Sequence, residues 1–221
     1  MANDQVTRIN ATVCIPYRAT TDRVAAYKRV RAFWKHHGFP VVTGDSGSDI
    51  FNLAASRNAA VRKSKTRNVI VADADTIPDI EQVYLAIDAP GITWPFTEYR
   101  HIPGGCVTRG DLMTAPVDRT YSASVGGLFV CSVGDYWDAG GNDERFVHGW
   151  GFEDSAFYLA ARTFGLANRA RDGIVFSFNH SADRDMSSAN PHKTRYDLYR
   201  FADGRPELMR ELIRGNAPEV T

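Results

Sequence analysis

Asn68-Val69-Ile70-Val71-Ala72-Asp73-Ala74-Asp75 (NVIVADAD, 68–75) is the stretch on which the fold turns. Its β-branched run is short, continuous and apolar, which predicts a strand with both faces covered, as in a sheet flanked by helices. The strand, 68–72, stops where two aspartates replace the apolar residues. Residues i and i+2 of an extended segment point the same way, so Asp73 and Asp75 share one side. Such a pair offers hard oxygens to Mg²⁺ or Mn²⁺, with a phosphate completing the shell. The plainer reading is a solvated acidic turn; the position at the end of a buried strand favours the site.

Outward from this strand, strand and helix signals alternate. Residues 11–17 (ATVCIPY) read as a buried strand ending at a proline, and 20–37 as a helix capped by Thr21 or Asp22 and stopped by Gly38. A second strand, 39–43, runs into Gly44-Asp45-Ser46, a helix follows at 52–63, and another at 78–87. Strands separated by helices predict a three-layer α/β/α sandwich whose mixed sheet is mainly parallel. In such sheets ligands sit beyond the C-terminal strand ends, which here carry Pro16-Tyr17-Arg18, Gly44-Asp45-Ser46 and Asp73-Ala74-Asp75. The second half reads differently. Residues 95–124 are rich in Gly, Pro, Thr and Arg without periodicity and are expected to form a flexible loop. Beyond it come a strand at 125–132, a helix at 153–164, a strand at 173–179 and a short helix at 206–214. The expected organisation is one domain over 1–221, with a nucleotide-binding half at about 11–90 and an acceptor and catalytic half at about 125–200.

The 221 residues are enough to bury a core, and 43% hydrophobic with 24% charged residues excludes a disordered, collagen-like or coiled-coil chain. Lys+Arg 26 against Asp+Glu 26 leaves no net charge to draw the protein onto nucleic acid generally or onto an anionic membrane. Any anionic ligand must then be held locally. Cys14, Cys106 and Cys131 fit neither a metal ribbon nor a disulfide framework. Cys14 and Cys131 fall in apolar runs and read as buried, reduced thiols. No run approaches the roughly 20 apolar residues of a membrane span, and 1–10 lacks the apolar core of a signal peptide. The expectation is a soluble, cytoplasmic protein.

Three further groups carry chemistry. Trp150-Gly151-Phe152-Glu153-Asp154 opens a helix. Its acids are either simple N-terminal charges that the helix dipole favours, or a general base beside an aromatic platform. His180, just past the strand at 173–179, is either an ordinary histidine or a metal ligand. His36, His37, His101, His148 and His192 read as ordinary histidines. Arg57 lies early in its helix, one turn beyond the rim, where it could reach a diphosphate.

Six segments in order, IPYR (15–18), IFNLA (50–54), VADADTIP (71–78), VGG (125–127), GWGFED (149–154) and HSAD (180–183), resemble the GT-A glycosyltransferases, most closely the β-1,4-galactosyltransferase group. The resemblance implies a nucleotide-sugar transferase, with a UDP-linked hexose or N-acetylhexosamine as donor and Mn²⁺ or Mg²⁺ as cofactor. It implies that Asp75 and His180 bind the metal, with Asp73 on the metal or the ribose. Pro16, Tyr17, Arg18, Asp45, Asn52, Arg57 and Asp183 would bind the donor. Gly126 and Gly127 would let backbone approach the donor sugar, and Trp150 would flank it. Glu153 would hold a sugar hydroxyl and Asp154 would be the catalytic base of an inverting transfer. The acceptor stays open: a hydroxyl on a glycan, protein, lipid or modified base. The sequence departs from the group at Thr20 and Leu53, where the group has arginines, so that Arg23 or Arg57 would substitute. It departs again at Phe152, where the group has glycine, and at Ser155, where it has an acid. The run GGLF (126–129) is also similar to the polypeptide N-acetylgalactosaminyltransferases, which retain configuration. The group's membrane anchor is not seen, which argues against a Golgi setting.

Two rival readings remain. Asp73-Ala74-Asp75-Thr76 also resembles the nucleophile motif of haloacid-dehalogenase phosphatases, in which Asp73 would attack a phosphate. The same fold could also bind a nucleotide sugar or glycan without turning it over.

Overall fold

The computed structural model describes residues 10–104, 111–179 and 190–214. The strand read from NVIVA is present as β3 (Asn68–Ala72), buried throughout. It lies inside a six-stranded sheet with β1 (Ala11–Pro16), β2 (Val41–Gly44), β5 (Ile92–Trp94), β8 (Leu128–Ser132) and β9 (Ala167–Arg169), in the order β2-β1-β3-β8-β5-β9. β1 pairs parallel with β2 and β3, and β5 with β9, while β8 runs antiparallel to both its neighbours. The sheet is therefore mixed and mainly parallel, as expected. Val69, Ile70 and Val71 are all but fully buried, and each contributes about 1.5–3 kcal/mol of hydrophobic stabilisation.

The helices form where the sequence offers caps. Asn52 accepts from the Ala55 N–H at the start of α2 (Leu53–Arg62), and Asp79 from the Glu81 N–H at the start of α3 (Ile80–Ile87). α1 (Val24–His36) begins after Arg23 and not after the expected cap Thr21 or Asp22, and an arginine at the N-cap has no side-chain acceptor to offer. Gly38, at φ +78°, ends it as the left-handed residue. α2 presses on the end of β2 so closely that a Cβ on Gly44 would lie 2.0 Å from the Ser56 carbonyl. α4 (Val133–Asp138) and α5 (Glu153–Thr163) follow β8, and α6 (Pro191–Ala202) and α7 (Pro206–Ile213) pack against α5 and each other.

Two corrections follow. A second sheet, unforeseen from the sequence, has the order β4-β10-β6-β7, from β4 (Thr76–Pro78), β6 (Glu98–Ile102), β7 (Arg119–Ser122) and β10 (Ile174–Phe178). The stretch 95–124, expected to be a flexible loop, contributes β6 and β7 to it, paired antiparallel from Glu98–Ser122 to His101–Arg119. The sequence hid these strands because they are half-exposed or exposed and carry little apolar pattern. Cys14 and Cys131 are buried and free, and burial pushes the Cys14 thiol up to about 12. Cys106 lies outside the described residues. Among the described residues no helix is long and apolar enough to cross a membrane.

Candidate active site

Asp73-Ala74-Asp75 is the crossover from one sheet to the other: β3 ends at Ala72 and β4 begins at Thr76. The turn is tied from both sides. The Asp73 N–H donates to the Gly127 carbonyl at 2.9 Å, and so does the Thr76 hydroxyl at 3.1 Å. Because Ala72 pairs with Leu128, the antiparallel register carries Gly126 and Gly127 to the aspartates. On the other side the Phe178 N–H donates to the Asp75 carbonyl at 2.9 Å. Gly127 has φ +86°, and a Cβ there would meet the Tyr99 ring at 2.5 Å. Glycine is required at that position on both counts.

Around this turn opens a cavity of about 730 Å³, lined by Pro16, Asp73, Asp75, Gly126, Gly127, Trp150, Glu153 and Asp154 among others. Residues far apart in sequence thus converge on one space. A second cavity of about 410 Å³ adjoins it, sharing Arg23, Leu53, Trp150, Gly151 and Glu153.

Arg57 organises the floor. It is 1% exposed, and it donates from Nη2 to Asp73 Oδ1 at 2.8 Å and from Nη1 to Asp154 Oδ1 at 2.5 Å. Nη1 also reaches Asn142 Oδ1 at 3.3 Å. Arg57, expected to meet a diphosphate, is spent here on two carboxylates that line the cavity, one just after β3 and one at the start of α5. Burial pushes the Asp154 carboxyl up; Arg57 opposes this, Glu153 and Asp73 reinforce it, and the result is about 7. Oδ1 being taken by Arg57, the other oxygen, Oδ2, faces Gly126, where a Cβ would come within 3.0 Å of it.

Glu153 is 7% exposed, and its Oε2 has no hydrogen-bond partner; His192 Nδ1 lies 3.7 Å away. Burial opposes the charged form of His192, but Glu153 and the Gly151 carbonyl outweigh it and raise the imidazole. Phe152 adopts φ +70° at the N-cap of α5, and His148 φ +60°. Each costs about 1–3 kcal/mol in backbone strain. Phe152 thus stands in a left-handed conformation that glycine would adopt freely, and its ring stacks on Tyr196 at 5.2 Å.

Other expected donor-binding residues lie elsewhere. Tyr17 stacks on Tyr27 at 3.8 Å. Arg18 donates to Asp45 and to the Ser48 and Asp49 carbonyls, holding the Asp45 carboxyl down at about 2, and neither residue lines the two cavities. Asn52 lines the smaller cavity, but it caps α2 and donates to the Glu144 carbonyl at 2.7 Å. In this structure Arg18 and Asp45 hold each other and the rim loop, while Asn52 holds the start of α2 at the edge of the smaller cavity. His180 and Asp183 lie outside the described residues.

Sequence reasoning missed Tyr99, Ser177, His101, Arg119 and Tyr121, all on the cavity wall from the second sheet. Burial, then the Asp75 and Asp73 carboxylates, push the Tyr99 hydroxyl well above its ordinary value, so it stays a proton donor. It also missed His192. No motif marked any of these; an alternation in 98–102 was the one available signal. Among the described residues no three His, Cys, Asp or Glu side chains form a metal cluster.

Comparison with known proteins supports the architecture. Residues 113–181 match the model of a family described as the N-terminal domain of galactosyltransferase. The catalytic domain of Drosophila beta1,4-galactosyltransferase 7, solved with xylobiose, superposes with a TM-score of 0.58 at 18% identity, over 86% of this chain and 79% of that one. A variant of the same enzyme, solved with manganese, UDP-Gal and xylobiose, gives 0.56 at 16% identity over 96% and 81%. GalNAc-T7 with UDP, GalNAc and Mn²⁺ gives 0.51 at 12% over 94% and 55%. No curated protein sequence matches the chain. The protein has a galactosyltransferase-like GT-A fold, that of the nucleotide-sugar-dependent glycosyltransferases, as the six sequence segments implied.

Proposed function

We propose that this protein is a metal-dependent glycosyltransferase that moves a hexose or N-acetylhexosamine from a UDP-linked donor to an acceptor hydroxyl, with inversion. One observation carries the reading: a single cavity joins the strand-end pair Asp73 and Asp75, the glycines before β8, and a carboxyl raised to about 7. The complexes of the structural neighbours with UDP-sugar and manganese support the donor class.

The donor set fits a hard divalent cation. Asp75 offers its carboxylate from a turn fixed on both sides, and Asp73 keeps one oxygen beyond that held by Arg57. Asp75, with Asp73 and His180, would hold Mn²⁺ or Mg²⁺; Phe178, two residues before His180 in sequence, is bonded to the Asp75 backbone. Bound there, the cation would neutralise charge developing on the diphosphate as it leaves.

The chain's own residues account for the rest. Gly126 and Gly127 would keep the wall low where the donor sugar lies, and Trp150, in the same cavity lining, would flank it. Glu153 accepts from a sugar hydroxyl. Asp154 takes the acceptor's proton on Oδ2, the oxygen that Arg57 leaves available. Arg57 keeps that carboxyl ionisable inside the cavity and fixes its aim. Displacement by one base-assisted hydroxyl inverts the anomeric carbon.

The phosphatase reading is not favoured, since the fold is shared with glycosyltransferases. Nor is the pure binder, which needs no carboxyl poised near neutrality.

A thermal-shift panel of nucleotide sugars with and without Mn²⁺ tests the proposal. UDP-sugars should raise the melting temperature only with metal, by mass action on the folded state. Equal response to all nucleotides, or none, contradicts it.

A further inference from the structure

We infer that His192 is a positioning residue for the proposed transfer: its Nδ1–H pins the segment that carries Trp150, Glu153 and Asp154 in place beneath α6. The inference rests on the transferase reading for its catalytic consequence, and on geometry for the pin itself.

Between the end of α4 and the start of α5 the chain forms no helix or strand, so its carbonyls need partners from elsewhere. The N-terminal turns of α6 supply them at successive residues. A Cβ on Gly149 would lie 2.4 Å from Asn190 Oδ1 and 2.6 Å from His192 Cδ2, so the backbone fits against α6 only as glycine. Asn190 Nδ2 donates to the Trp150 carbonyl at 2.8 Å, while its Oδ1 caps α6 by accepting from the His192 N–H at 2.9 Å. His192 Nδ1 lies 2.8 Å from the Gly151 carbonyl. A carbonyl only accepts, so Nδ1 carries the proton. Tyr196 then stacks on Phe152.

The segment held this way is not one that holds itself. His148 and Phe152 both sit at positive φ, conformations that persist only when the surroundings impose them. Glu153 and Asp154 follow Phe152 directly, so the angle at which α5 presents them is set by the same clamp. His192 is itself buried, with the Phe146 ring edge-on at 5.1 Å.

A histidine that merely filled space against Phe146 would make the same ring contact, and two substitutions separate the roles. His192→Phe keeps a ring and loses the donor; His192→Asn loses the ring and keeps a donor near the Nδ1 position. Hydrogen exchange of 146–154 is measured alongside kcat, KM and UDP affinity for Mn²⁺-dependent UDP-sugar turnover. The pin predicts that His192→Phe speeds exchange in that segment about tenfold with the rest of the chain unchanged. It predicts a kcat lower by about 10- to 100-fold, with UDP affinity within about twofold. His192→Asn should stay within about threefold of wild type in both. Should His192→Phe not fold, His192→Ala replaces it with the same expectation. The reverse ranking, with Phe tolerated and Asn impaired, overturns the pin in favour of packing. A wild-type protein that turns over no UDP-sugar defeats the transferase reading instead, and the exchange data still decide the pin.

Discussion

Asp75 and Asp154 line the same cavity, yet they reach it by opposite constructions. Asp75 stands where a buried strand crosses between two sheets, its backbone bonded to β10 and its neighbour Asp73 to Gly127. Asp154 is the second residue of α5, directly after an irregular segment with two non-glycine residues at positive φ, secured from outside by α6. The strand end is rigid through its own ladders; the base end is rigid only through tertiary contacts. Arg57 is where they meet, bonded to both sides. A rigid cation site with a separately held base would let one end bind the donor and the other do the proton transfer.

Removing Arg57 attacks both ends at once and should have the largest effect. Arg57→Ala leaves Asp73 and Asp154 facing each other without their cation, and should lose about 3–5 kcal/mol in chemical denaturation as well as turnover. Asp154→Asn separates the ends: turnover should fall by about 10²–10⁴-fold in a UDP-release assay, with the fold intact. The pH profile sharpens the same point. Burial raises Asp154 to about 7 despite Arg57, so below that pH the carboxyl is mostly protonated and cannot accept a proton. kcat/KM should therefore climb as pH rises through about 7 and level off above it, and Asp154→Asn should remove that limb. The smallest effect belongs to the strand end. Gly127→Ala, at φ +86° and against Tyr99, should cost about 2 kcal/mol and show as a lower melting temperature.

The same contrast explains what the sequence made legible. NVIVA followed by Asp-Ala-Asp is a local pattern, and the strand, the turn and the place of Asp73 and Asp75 could all be read from eight residues. Gly126-Gly127 and Trp150 to Asp154 were legible through the resemblance to known transferases. Arg57 was noticed, but its bonds to Asp73 and Asp154 were not, because they join α2, the end of β3 and the start of α5, which only the tertiary fold brings together. The second sheet went unread because Glu98-Tyr99-Arg100-His101 mixes charge with aromatics in strands that are only half-buried. α6 was unread because its pattern is polar overall and its work is done by Asn190 and His192, residues that look ordinary until Trp150 and Gly151 are seen beneath them.

Calorimetric titration of a UDP-sugar in Mn²⁺ into wild type, Asp75→Ala and Asp154→Asn tests the division of labour most directly. Binding should vanish with Asp75→Ala and persist, near wild-type affinity, with Asp154→Asn. Undiminished binding by Asp75→Ala, or its loss in Asp154→Asn, would contradict the account.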